Sequence, residues 1–249
     1  MTLFELFPDL QTAQAQNFAG ISCAKPALMI AMTARTGSTH FCAQLAASAG
    51  LAPIGEIFNP RGPAQMEQAQ FGAASFSAYL PGLAARPGPV LAFKTNGQDF
   101  APFAAHHQAL FPDLRLIYLT RRDTIAQAVS LFRAQLSGHW HQPRGTAPNP
   151  QAAAEALRQK FDMPRILALL TQLEAEKAAW ESFFVRYTHQ PLRFAYEDFT
   201  RDFAPALSRL APLLPVAPVP PSSTGYEKLA DALTAEWVHR VRCHVLNLG

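Results

Sequence analysis

The strongest constraint on what this chain can become lies in residues 27–47. The apolar run Ala27-Leu28-Met29-Ile30-Ala31-Met32 leads into Thr33-Ala34-Arg35-Thr36-Gly37-Ser38-Thr39, and Phe41-Cys42-Ala43-Gln44-Leu45-Ala46-Ala47 follows. A buried strand, a tight hydroxyl-rich turn with a glycine and the start of a helix succeed one another. The first N–H groups of such a helix lack intrahelical partners and point at one spot, where the helix dipole adds partial positive charge. Ser38 and Thr39 contribute hydroxyl donors and Arg35 a full charge, so the turn reads as a cradle for an anion. It lacks the GxxxxGK(S/T) spacing of nucleoside triphosphatases. The ligand it suits is a phosphate or phosphosulfate neutralised by protein donors without a metal.

A chain of 249 residues is long enough to bury a full core, and the reading is a single α/β domain over 1–249. A hydrophobic fraction of 49% leaves apolar surface for self-association. The net charge of +3 is too small to argue for nucleic acid, although mild basicity favours an anionic cosubstrate. Cys23, Cys42 and Cys243 are scattered and lack CxxC spacing, which points away from a zinc site or a disulfide framework and towards a reducing compartment. Glu5 and Asp9 sit where a signal peptide would need basic and then apolar residues, and no run of about 18 apolar residues occurs. The expectation is a cytoplasmic protein with no transmembrane segment.

Gly50 marks the end of the first long helix, and a proline-punctuated connection with Glu56-Ile57-Phe58 follows. Residues 61–88 are polar and weakly periodic, a short helical excursion. Pro89-Val90-Leu91-Ala92-Phe93-Lys94 and Leu114-Arg115-Leu116-Ile117-Tyr118-Leu119-Thr120 read as strands, with Phe103 to Phe111 as the crossover helix between them. Alternating strands and helices predict a parallel sheet covered on both faces, which binds ligands at the carboxyl ends of its strands. Asp123 caps a helix reaching Gly138, Asp162 precedes a long amphipathic helix over 163–188 with Leu169, Leu173, Trp180 and Phe184 on its apolar stripe, and Arg193-Phe194-Ala195-Tyr196 is a late strand. Residues 143–150 form a proline-rich loop, 211–221 a proline-rich arm and 226–242 a terminal helix.

A second anion-binding constellation opens the helix after the third strand. Arg122 and Ser130 are eight residues apart, a gap an arginine side chain can largely cover, so both could meet one phosphate. An arginine at a helix start is otherwise a surface salt-bridge residue. Two anion sites at adjacent strand ends fit a nucleotide with phosphates at both ends of its ribose.

These residues carry a resemblance. Thr33–Thr39 looks like the 5′-phosphosulfate loop of sulfotransferases, and Arg122 with Ser130 looks like their 3′-phosphate motif. The block Thr120–Ala134 with Trp140 resembles specifically the bacterial trehalose sulfotransferase family. Glu56-Ile57-Phe58, Lys94, Tyr196-Glu197, Lys228-Leu229-Ala230-Asp231 and Glu236-Trp237 agree with it, so the likeness spans roughly residues 28–242. It implies the P-loop-like sulfotransferase fold, a parallel β-sheet flanked by helices. The implied cosubstrate is 3′-phosphoadenosine 5′-phosphosulfate (PAPS), with adenosine 3′,5′-bisphosphate as product and no metal. The implied acceptor is a hydroxyl of a carbohydrate or glycolipid precursor, and the implied assembly a homodimer.

By the same resemblance Glu56 stands at the catalytic base, Arg35, Thr36, Gly37, Ser38 and Thr39 hold the 5′ end, and Lys94 reaches the bridging region. Arg122, Ser130 and Lys228 take the 3′-phosphate. Sulfuryl transfer relies on positioning and electrostatic stabilisation, which these groups supply. Two acceptor-side positions depart from the family: Ala52 or Pro53 replaces an acid three residues before Glu56, and Thr95 replaces an aromatic after Lys94. His139-Trp140-His141 offers only two histidines, short of a metal site. Two other readings remain open. A small-metabolite kinase would need a lysine closing the loop and a magnesium-binding acid at a strand end, both missing here; a catalytically silent nucleotide-binding scaffold would share the binding residues.

Overall fold

The computed structural model describes residues 1–138, 140, 157–214, 216–219 and 232–246. Its frame is a four-stranded, wholly parallel sheet in which β1 (Ala27–Met32), β2 (Leu91–Asn96), β3 (Leu114–Thr120) and β4 (Leu192–Ala195) are arranged β2-β1-β3-β4. The expected α/β arrangement with a parallel sheet is what the chain adopts. Ile30 lies opposite Lys94 on one side and Ile117 on the other, so the carboxyl ends of the central strands finish side by side.

Alternation along the strands divides the core, because successive side chains leave opposite faces of a sheet. Met29, Ala31, Phe93 and Tyr118 face a layer built from Phe58, Phe76, Phe103, Phe111 and Trp180. Leu28, Ile30, Ile117 and Leu119 face the other layer, with Phe41, Leu45, Phe194, Phe199 and Leu207. All six residues of β1 are buried, as a central strand covered on both faces requires. A third cluster joins the Thr124–Ser137, Met163–Arg186 and Ala232–Val245 helices through Val129, Phe132, Leu169, Leu173 and Trp237.

The helix boundaries follow their caps. Asp123 accepts the amide of Ala126 at 2.9 Å and Gly138 ends that helix at φ 70°; Asp162 accepts the amide of Arg165 at 2.9 Å to open the long helix. Leu169, Leu173, Trp180 and Phe184 are all buried there, as the stripe predicts. Other segments differ from expectation. Residues 61–88 contain two helices, Pro63–Phe71 and Phe76–Ala84. The first buries only Ala64, which explains its missing periodicity, whereas the second buries Phe76, Tyr79, Leu80 and Leu83. The crossover before β3 is a 3-10 turn, Ala101–His106, continued by the short helix His107–Leu110. The second and fourth strands are offset by two residues and one from their expected starts.

Near the N-terminus, the short helices Leu3–Leu6 and Leu10–Ala15 bring Leu3, Leu6, Phe7 and Leu10 into the aromatic layer. In the proline-rich arm, Ala211–Leu213 is a 3-10 turn and the amide of Val219 donates to the Ser48 carbonyl at 2.8 Å. The expected loop at 143–150 and the first turns of the terminal helix, 226–231, lie outside the described residues. Among the described residues no helix is long and apolar enough to cross a membrane.

Candidate active site

The turn after β1 is held from three directions. Within it, the Thr36 hydroxyl donates to the Thr33 carbonyl at 3.0 Å. From the Thr124–Ser137 helix, buried Gln127 donates Nε2 to the Thr33 hydroxyl at 2.8 Å and to the Ala34 carbonyl at 2.6 Å. From beyond β4, Tyr196 closes on Gly37: a Cβ there would stand 2.6 Å from Tyr196 Cδ2 and 3.3 Å from Phe199 Cζ. Gly37 also has φ 73°, so both its conformation and its surroundings require glycine. Arg35 is left-handed too, at φ 65°, a conformation that non-glycine residues adopt sparingly and that clusters at ligand sites. The first helical bond runs from the Phe41 amide to the Gly37 carbonyl at 3.0 Å, leaving the Gly37 and Ser38 amides ahead of the helical ladder.

On the β2 side, Lys94 is nearly fully buried and carries the turn towards a carboxylate. Its Nζ donates to the Thr39 hydroxyl at 3.0 Å and pairs with Glu56 Oε1 at 3.1 Å. Glu56 arrives there because the Lys94 amide binds the Gly55 carbonyl at 2.9 Å, pinning the connection along β2. Its second oxygen accepts from Asn59 Nδ2 at 2.9 Å. Asp99, just beyond β2, lies near enough to feel Glu56. Burial pushes its carboxyl up to about 6, Asn96 Nδ2 at 2.6 Å works against that, and the Glu56 charge adds to it. Thr39, Lys94 and Glu56, expected separately, are therefore joined in one connected chain.

On the β3 side the pairing differs from the spacing argument. Ser130 accepts from Arg35 Nε at 3.0 Å, and Arg35 Nη1 donates to the Trp140 carbonyl at 2.5 Å. Arg122 faces outward and forms a two-pronged pair with Asp198, both bonds 2.7 Å. Glu197 accepts the Arg122 and Asp123 amides, each at 3.2 Å. Hydrogen bonding to Arg122 holds the Asp198 carboxyl below the usual carboxylate range. Burial first, and then the nearby Arg121 charge, lower the proton affinity of Arg35, which stays a cation because guanidinium does not titrate near neutrality. Lys228, His139 and His141 lie outside the described residues.

Asn59, Asp99, Arg121, Gln127 and Asp198 were given no role by sequence reasoning. Gln127 carried a signal within the block after β3, but its turn-holding bonds depend on helix orientation. Asp198 carried none, because nothing in its spacing ties it to Arg122.

A family model described as Stf0 sulphotransferase matches residues 101–244. That stretch holds Arg122 and Ser130; the glycine turn and Glu56 precede it. A trehalose 2-sulfotransferase of Mycolicibacterium smegmatis is 28% identical over 127 residues, 51% of this chain and 45% of its own length. Another trehalose 2-sulfotransferase, of Mycobacterium tuberculosis, is 24% identical over 133 residues, 53% of this chain and 47% of its own. The chain thus spans about half the length of the curated relatives it matches. A crystal structure of a sulfotransferase from Alicyclobacillus acidocaldarius aligns over 90% of this chain and 96% of that one, with TM-score 0.44 and 16% identity.

Proposed function

This chain belongs to the Stf0 sulphotransferase family, and from that premise we propose that it moves a sulfuryl group from PAPS to a hydroxyl of a carbohydrate or glycolipid precursor. The observation that carries the reading is the connected chain from the anion-binding turn through Thr39 and Lys94 to the carboxylate of Glu56. A phosphate cradle and a proton acceptor in direct communication are the two parts in-line transfer requires.

In this reading Glu56 takes the proton of the acceptor hydroxyl as the acceptor oxygen bonds to sulfur. The bond from sulfur to the 5′-phosphate oxygen breaks, its electron pair stays on that oxygen, and adenosine 3′,5′-bisphosphate leaves. Arg35, with Thr36, Gly37, Ser38 and Thr39, stabilises the charge gathering on the 5′-phosphate. Lys94, paired with Glu56, is assigned to the bridging region. Arg122, Ser130 and Lys228 are assigned to the 3′-phosphate, which requires Arg122 to exchange Asp198 for the nucleotide. The reading includes a homodimer, supported by the resemblance alone, working in the cytoplasm, supported by the scattered cysteines and the acidic N-terminal residues Glu5 and Asp9.

The test is transfer of labelled sulfuryl from PAPS to a panel of sugars and glycolipids, with calorimetric titration of adenosine 3′,5′-bisphosphate. Glu56→Gln is expected to lower kcat by roughly 10²–10⁴-fold while bisphosphate affinity is retained. Arg122→Ala is expected to abolish tight bisphosphate binding. Full activity in Glu56→Gln, or a preference for Mg-ATP over the bisphosphate, would overturn the reading.

A further inference from the structure

A groove of about 340 Å³ lies beside the carboxylate chain of the site. One wall is the Ser38–Ala49 helix, from Thr39 past Cys42 to Ala46 and Ala47, positions that share one helical face. The other wall is the connection leading to Glu56, with Leu51 and Ile54. Thr39 joins the groove to the chemistry, because its hydroxyl accepts from Lys94 Nζ at 3.0 Å and the same nitrogen pairs with Glu56 at 3.1 Å. Cys42, one turn further along, lies within the field of both charges: burial pushes its thiol up to about 12, Lys94 works against that and Glu56 adds to it. At neutral pH it is an uncharged thiol and packs as a small apolar group. From Thr39 to Ala47 the helix rises about 12 Å, and Ala47 at the far end is exposed.

The lining decides what can lie there. Among the described residues of the groove Thr39 carries the one side-chain hydroxyl, and none is charged or aromatic. A sugar ring seated along it would give up water at several hydroxyls and find a partner for one, a penalty for each of the rest. An alkyl chain has no such loss and gains roughly fourfold in affinity for every methylene it buries. The volume is within the range of small-molecule sites, which begins at about 300 Å³. We propose that the groove is an acceptor subsite for an alkyl chain, with the acceptor's hydroxyl at Glu56 and the chain running from Thr39 towards Ala47. The small side chains of Ala46 and Ala47 keep that path open. This subsite rests on the sulfotransferase reading for its hydroxyl, and it narrows the acceptor to an amphiphile, polar where the sulfuryl group arrives and apolar behind it.

The experiment compares methyl, butyl and octyl β-glucoside, the last kept below its micelle-forming concentration, in two assays. One is kcat/KM for sulfuryl transfer from PAPS, and the other is calorimetric binding with and without adenosine 3′,5′-bisphosphate. Wild type is expected to favour octyl over methyl by at least ~10²-fold in both, in steps of roughly fourfold per methylene until the groove is full. Ala46→Leu and Ala47→Leu fill the groove and are expected to remove most of that ratio; Ala47 is exposed, so its variant keeps the test open if Ala46→Leu fails to fold. Transfer that ignores chain length overturns the subsite and leaves the sulfotransferase reading standing. A chain-length preference that both variants retain also overturns it, as does a change of oligomeric state in sedimentation without loss of the preference, which assigns the groove to a second copy of the chain. Glucoside binding that depends on chain length and on Ala46, with no transfer and no bisphosphate binding, keeps the subsite and removes the sulfotransferase reading. Absence of binding and transfer alike removes both.

Discussion

At the scale of single residues, Gly37 meets two demands that an alanine fails together. Its φ of 73° costs a side-chain-bearing residue about 1 kcal/mol, and the added Cβ would press into the Tyr196 ring at 2.6 Å. Gly37→Ala is therefore expected to lower the melting temperature and to cost bisphosphate affinity, read by denaturation and calorimetry on one sample. Asp99 works in the other direction. Its folded-state carboxyl sits at about 6, above the 3.8 of an unperturbed aspartate, so the fold favours its protonated form. The associated stability is present below the unfolded value and lost as pH rises through about 6. Asp99→Asn is expected to raise the melting temperature at pH 8 and leave it little changed at pH 4; an unchanged value at pH 8 would count against the assignment. The glycine turn was legible in the sequence because its conformation demands particular residue types. The direction taken by Arg121 and Arg122 was not, since spacing along a loop after a strand does not say which side chain turns inward and which finds Asp198.

At the scale of elements, the long helix Met163–Arg186 fastens the site's floor. Trp180 on its apolar stripe donates Nε1 to the carbonyl of Met32, the last residue of β1, at 3.0 Å, and stacks near Phe100 and Phe184 at centroid distances of 5.9 and 5.8 Å. Trp180→Phe keeps an aromatic ring but removes that donor, and is expected to cost ~1–3 kcal/mol in urea denaturation. A fall in nucleotide affinity is expected beside it, because the turn begins one residue after Met32. This helix, the one capped by Asp123 and the three strands through Thr120 could be read from capping residues and apolar runs. The helices at Leu3–Leu6, Leu10–Ala15 and Pro63–Phe71 could not, being too short or too polar to show a period. Their order comes from tertiary contacts. Phe7, for example, rests on Tyr79 with ring centroids 4.7 Å apart.

At the scale of the whole molecule, two histidines far apart in sequence join the crossover before β3 to the turn before β4. His107 Nδ1 lies 2.8 Å from the Ala104 carbonyl and must carry a hydrogen, which leaves Nε2 as an acceptor; His189 Nε2, 2.7 Å away, is then the donor. A further proton on His107 would set two N–H groups head to head. Burial lowers both from the usual 6.5, so the unfolded chain binds more protons once pH drops below that value. Their contribution is complete above about 6.5 and declines as the solution is acidified, by at most ~1.4 kcal/mol per pH unit for each proton taken up. Urea midpoints between pH 8 and pH 5.5 are expected to fall in wild type and to flatten in His107→Asn with His189→Gln; equal slopes would refute the pairing. The all-parallel order β2-β1-β3-β4 has a temporal consequence as well. β1 and its turn are synthesised before the strands they pair with, so β1 must wait for β2 and β3, and its turn for the Tyr196 ring that follows β4. Long-range parallel pairing of this kind is slow to form. The turn's packing is thus incomplete until Tyr196, some 160 residues further along the chain, has been supplied.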